Sequence, residues 1–183
     1  PEEEWKWVVD AARECFDHGK KKGVKIAIEP LNRFETNLFN RCAQALALAD
    51  AVSPECGVCL DAFHINIEET DMYDAIRLAG DRLFDFHVAD NNRFAAGLGQ
   101  LDWPKIVSTL KEVGYDGALT NEFVAPVDRT PATMYPDMVE TNPVDISPEQ
   151  LKFIQDHGSS LLTEKFYSDQ MRITAETLLP LMK

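Results

Sequence analysis

The feature that most constrains this chain is a repeat in which a short apolar run ends on a side chain able to hold a metal ion and is followed by helix. Val24–Glu29, Gly57–Asp61, Leu83–Val88 and Gly117–Phe123 read as strands, rich in β-branched and aromatic residues and bounded by Gly and Pro. Glu29 and Asp61 end the first two strands, and His87 and Glu122 lie near the ends of the others. Each is about one strand-loop-helix-loop repeat, roughly 30 residues, from the next.

Helical periodicity fills the intervals. Trp5, Val8, Val9, Ala12, Cys15, Phe16 and Gly19 form one apolar stripe, with Glu2–Glu4 at the start and Lys20–Lys22 at the end, the order that suits a helix dipole. Cys42–Val52 is a second helix, stopped by Ser53-Pro54, and Tyr73–Ala79 a third. Asp102 is placed to cap a helix bearing Trp103, Ile106, Val107, Leu110 and Val113, which Gly114 ends. Ser147-Pro148-Glu149-Gln150 reads as a capping box opening a helical tail, interrupted at His157-Gly158. Strands alternating with helices imply an α/β fold with a parallel sheet, either a small open domain or half of an eight-stranded (β/α) barrel of TIM type. In such folds function sits where strands end, which is where the four side chains fall.

Three carboxylates and one imidazole make a hard, oxygen-rich donor set, which favours Mn²⁺, Mg²⁺ or Co²⁺. A charged residue at one strand end is usually just solvated, but the same coincidence at four successive ends points to one rim. Polar residues follow on the rim loops: Asn32, Arg33 and Glu35 after Glu29, His64 after Asp61, and Asp90, Asn91, Asn92 and Arg93 after His87. The four cysteines are Cys15, Cys42, Cys56 and Cys59. A strand through the Cys56-x-x-Cys59 pair puts its two sulfurs on opposite faces, so buried thiols are expected rather than a zinc or redox pair. The net charge of −13 repels phosphate backbones and anionic lipid, which argues against nucleic-acid and membrane-surface roles. With no long apolar run and an acidic opening, a cytoplasmic protein is expected.

Four ordered motifs then carry a family resemblance. Ile28-Glu29-Pro30-Leu31-Asn32-Arg33-Phe34-Glu35-Thr36, Leu60-Asp61-Ala62-Phe63-His64-Ile65-Asn66-Ile67-Glu68-Glu69, Phe86-His87-Val88-Ala89-Asp90-Asn91-Asn92-Arg93 and Asn121-Glu122-Phe123 resemble the ketose 3-epimerases, which include the D-tagatose and D-psicose enzymes of the xylose-isomerase-like barrels. The resemblance implies that Glu29, Asp61, His87 and Glu122 bind a divalent metal, Mn²⁺ first, with Mg²⁺ or Co²⁺ as alternatives. It implies that Glu35, His64 and Arg93 bind the sugar. It further implies that Glu29 and Glu122 are the catalytic acid/base pair, inverting C3 of a free ketohexose through a cis-enediolate stabilised by metal at O2 and O3. Residues 1–183 then form one barrel-type domain matching strands five to eight, with the first four βα units expected to be absent. Open sheet edges make a homo-oligomer the expected assembly. The alternatives are a relative of hydroxypyruvate isomerase or inosose dehydratase type, or an inactive half barrel that only binds metal or self-associates. A multi-zinc nuclease is disfavoured by the charge and by only two rim histidines.

Overall fold

The computed structural model describes residues 1–124, 147–149, 152 and 164–183. Helix α1 (Glu2–Lys21) leads into strand β1 (Ala27–Ile28), and α2 (Cys42–Val52) into β2 (Gly57–Asp61). Two helices follow, α3 (Ala62–Glu68) and α4 (Met72–Ala79), then β3 (Leu83–Val88), α5 (Trp103–Glu112), β4 (Leu119–Asn121) and the terminal helix α6 (Glu164–Met182). The four strands are all parallel and lie in chain order, β1-β2-β3-β4. Each pair is joined by a helical crossover, as a parallel connection requires.

The two faces of this sheet differ in chemistry because side chains alternate along a strand. Val58, Leu60, Phe86 and Val88 are at most 1% exposed and point to the helical side. There they meet a layer in which Ile76 of α4 and Ile106 of α5 are wholly buried. Burying each such side chain contributes roughly 1.5–3 kcal/mol, so this layer is the principal stabilising contact. The alternate positions, Cys59, Asp61, Asp85 and His87, share the other face, since Cys59 pairs with Asp85 and Asp61 with His87. The pairing shifts between Val58 and Cys59, a bulge that skips Phe84. Gly57 makes room for it, because a Cβ there would lie 2.3 Å from the Phe84 ring.

Local signals set the helix ends. Asp71 Oδ1 accepts from Tyr73 N and Asp74 N at the start of α4, and Asp102 Oδ1 accepts from Lys105 N at the start of α5. Gly114, at φ 72°, follows α5 in the left-handed conformation that residues with a Cβ adopt only at some cost. Helix α6 packs against α5, burying Leu178, and Lys111 Nζ donates to the carbonyls of Leu181 and Lys183 at its C-terminus.

Three expectations change. The first and fourth strands are shorter than the runs 24–29 and 117–123, and both lie at the sheet's ends with a neighbour on one side only among the described residues. Residues 62–68, expected as rim loop, are helix α3, so His64 stands on a helix. Cys15 is exposed, whereas Cys42, Cys56 and Cys59 are buried as expected of core thiols. Residues 148 and 149 are helical, while Gln150 and the His157-Gly158 break lie outside the described residues. Among the described residues no helix is long and apolar enough to cross a membrane.

Candidate metal centre

Asp61 terminates β2 and also caps α3, its Oδ1 accepting from Phe63 N at 2.8 Å. The other oxygen, Oδ2, is buried without a hydrogen-bond partner, and so is Oε1 of Glu29 just beyond β1. His87, on β3, turns Nδ1 toward both glutamates: it is hydrogen-bonded to Glu122 Oε2 and lies 3.3 Å from Glu29 Oε1. One ligand atom from each of Glu29, Asp61, His87 and Glu122 lies within 4.8 Å of all the others. The four sequence-predicted ligands therefore converge, delivered by four successive strand ends.

The charges explain what this cluster lacks. Burial, reinforced by the charges of Glu122 and Glu29, pushes the Asp61 carboxyl up to about 7 against the pull of the Phe63 N–H and Arg93. His87 holds its proton well above the ordinary imidazole range through its contacts with the Cys59 thiol, Glu122 and Glu29. That same proton keeps Glu122 below the usual carboxylate range. Among the described residues, a proton on His87 and the Arg93 guanidinium at the edge are thus the positive charges that face the three carboxylates. A divalent cation would satisfy the two unpartnered oxygens and add positive charge among the carboxylates, so the residues fit such an ion.

The three sugar-binding candidates adjoin the cluster. Arg93 has φ 61°, a conformation uncommon outside glycine, and stacks over the Phe63 ring at 4.5 Å. Its Nη1 donates to Glu35 Oε1 at 2.8 Å, and Nη2 lies 3.8 Å from Asp61 Oδ2 and 3.7 Å from Glu122 Oε1. His64, 1% exposed, is oriented by Asn32, whose backbone N–H points at its Nδ1 at 3.3 Å and whose Nδ2 lies 2.8 Å from the same atom. A backbone N–H can only donate, so Nδ1 accepts and the ring hydrogen sits on Nε2. Burial keeps the ring neutral by lowering its affinity for a second proton. Nε2 has no hydrogen-bond partner and lies 3.7 Å from Asp61 Oδ2, leaving a directed donor at the centre's edge.

A family model described as xylose isomerase-like TIM barrel matches residues 1–157. The chain belongs to that family. Among relatives of this barrel, D-psicose 3-epimerase of Enterocloster bolteae is 40% identical over 111 residues, which is 60% of this chain and 37% of that protein. D-psicose 3-epimerase of Agrobacterium fabrum is 33% identical over 86% of this chain and 54% of its own length. A solved D-psicose 3-epimerase with D-tagatose from Clostridium cellulolyticum H10 superposes with a TM-score of 0.72 at 27% identity, over 98% of this chain and 56% of that one. The chain thus spans about half the length, or less, of these xylose isomerase-like relatives.

Two expected rim residues have other employment. Arg33 pairs with Glu68, Nη2 to Oε2 at 2.9 Å, and its backbone N–H donates to Glu68 Oε1 at 2.6 Å, which fastens the loop after β1 to α3. Asp90 is fully buried and ties its own loop together. Asp85 is a site neighbour that the motifs do not mark: its Oδ2 lies 3.5 Å from His87 Nε2, opposite the ligand side. Its carboxylate also accepts from Thr120 Oγ1 and Phe86 N. The period-two spacing of Asp85 and His87 was the available signal.

Proposed function

We propose that this chain carries the metal centre and acid/base pair of a ketose 3-epimerase, with a free ketohexose as substrate and Mn²⁺ as the favoured ion. The observation that carries the reading is the convergence of Glu29, Asp61, His87 and Glu122 with two buried carboxylate oxygens unpartnered. The names of the relatives support the choice of reaction class. The ion, when bound, polarises the C2 carbonyl and neutralises charge that develops on O2 and O3.

The protein's own groups do the rest. Glu29 and Glu122 follow the first and last strands of the sheet, flanking Asp61 and His87. One carboxylate removes the C3 proton from one face of the sugar, and the other, protonated, returns a proton to the opposite face, which inverts C3. Because the two groups are chemically alike, either begins and the reaction runs both ways. Arg93 and the Nε2–H of His64 donate to sugar oxygens, and Glu35, held by Arg93 and Asn32, accepts a hydroxyl.

The test is C3 proton exchange in D₂O with Mn²⁺ and D-fructose, D-tagatose or D-psicose. Deuterium accumulates at C3, and Glu122→Gln lowers the rate by about 10²–10⁴-fold while Mn²⁺ still binds. No exchange with any of the three ketoses sinks the reading, and near-normal turnover in Glu122→Gln removes that residue from the acid/base pair.

A further inference from the structure

The candidate metal centre has a thiol at its floor. Cys59 lies two residues before Asp61 on β2 and therefore on the same face, opposite Asp85 and beside His87. It is 5% exposed, and its sulfur belongs to a second group, Glu29, Cys59 and His87, whose ligand atoms also lie within 4.8 Å of one another. The other cysteines have different surroundings. Cys42 Sγ donates to Ala75 O and Cys56 Sγ to Ile26 O, and Cys15 is exposed on α1. A further observation on the same strand face points to a ligand: Asp61, two residues on from Cys59, is wholly buried with Oδ2 unpartnered.

We propose that Cys59 gives this centre a second binding mode, Glu29-Cys59-His87, that takes soft divalent cations of the zinc class and excludes the oxygen-rich mode. The inference rests on the metal-centre reading above. One thiolate, one imidazole and one carboxylate with an open fourth position form a zinc-type donor set, whereas Mn²⁺ and Mg²⁺ prefer the carboxylate-rich rim. Binding forms the sulfur–metal bond and releases the thiol proton to solvent. The two modes compete because Glu29 and His87 serve both. A cation seated on the floor also engages Glu29, one of the two proposed acid/base groups, so zinc opposes the reaction that manganese supports.

Co²⁺ reports both modes, since its visible bands show that it is bound and a thiolate charge-transfer band in the near ultraviolet shows a sulfur ligand. Titration of the metal-free full chain with Co²⁺ gives both signals in the wild type and in Cys15→Ser. In Cys59→Ser and Cys59→Ala, with melting curves confirming folded protein, the visible bands remain and the charge-transfer band is lost. Cys59→Ser also raises the Zn²⁺ concentration that displaces bound Mn²⁺, read by electron paramagnetic resonance, by about tenfold or more. Cobalt bound without the charge-transfer band in the wild type, or a band that persists without Cys59, overturns the soft mode and leaves the rim reading standing. Failure of the wild type to bind Co²⁺ at all overturns both.

Discussion

Asp61 and Asp90 are both wholly buried, yet they are treated in opposite ways. Asp90, on the loop after β3, accepts four hydrogen bonds: Oδ1 from Asn91 N and Leu101 N, Oδ2 from Gly97 N and Trp103 Nε1, at 2.9–3.1 Å. Burial works to raise its carboxyl, but these donors outweigh it and hold the group below its ordinary value. Asp61 receives one such bond, from Phe63, and is pushed up to about 7. A carboxylate completed by its own protein is structural. One buried and left incomplete stores an unfavourable charge that a ligand would relieve, and that difference marks the rim as the candidate site.

The largest test of the contrast is Asp61→Asn. Losing a charged ligand lowers Mn²⁺ affinity by about 100-fold or more, while stability without metal stays within about 1 kcal/mol of wild type or rises, because the charge was uncompensated. The pH dependence carries the same sign. Asp61 ionises more readily unfolded than folded, so between about 4 and about 7 the metal-free native state holds more protons than the unfolded chain. Stability therefore falls as pH rises through that window, by about tenfold or more in the folding constant. Asp61→Asn flattens this slope, and saturating Mn²⁺ removes it. Urea unfolding at several pH values reads both, and an unchanged slope in the variant would mean that another group is responsible.

Asp90→Asn should do the reverse. The amide keeps one acceptor oxygen and turns an NH₂ toward two donors, so two buried N–H groups lose their partners at about 1–3 kcal/mol each. A loss of about 3 kcal/mol in urea unfolding is expected, with metal affinity per folded molecule preserved. Equal stability in the variant would mean that the loop re-forms around the amide and that the four bonds are replaceable.

The same contrast explains what the sequence made legible. Gly57–Asp61, Leu83–Val88 and Cys42–Val52 match the structure end to end because Pro, Gly and charge punctuate short, strongly apolar runs. β1 and β4 are shorter than their apolar runs because, among the described residues, each pairs with a neighbour on one side and the ladder ends where that neighbour stops pairing, a property of the sheet and not of the run. Helix α3 was hidden because seven residues are too few for a period to show. Its one local signal, Asp61 as cap, was already read as a metal ligand, and Asp61 does both jobs with its two oxygens. Spacing placed the ligands on one rim. It did not separate Asp90 and Arg33 from the residues proposed to bind sugar, because burial and partner decide that, and both are tertiary. Cys59 is the converse case: a core thiol by composition, brought beside His87 only by the register of β2 on β3.

The smallest predicted effect tests whether the two carboxylates are independent. A Cβ at Gly99 would lie 2.1 Å from Asp90 Oδ1 and 2.3 Å from Asn91 Oδ1, well inside contact distance. Asn91 Oδ1 in turn accepts from Gln100 N at 2.8 Å, so neither oxygen moves without breaking a bond. In Gly99→Ala the Asp90 carboxylate swings or the loop shifts, and one or two of its hydrogen bonds lengthen, which costs about 1–2 kcal/mol in urea unfolding. The ligands approach the centre from the strand ends, not from this turn, so Mn²⁺ affinity stays at its wild-type value. Arg93 belongs to the same loop, however, with its N–H donating to Asp90 O at 2.8 Å, and its guanidinium reaches Glu35. A rise in KM for the ketose with kcat and metal binding unchanged would show that the structural carboxylate positions the substrate through Arg93. A weaker Mn²⁺ affinity would show instead that the two buried aspartates are one coupled unit.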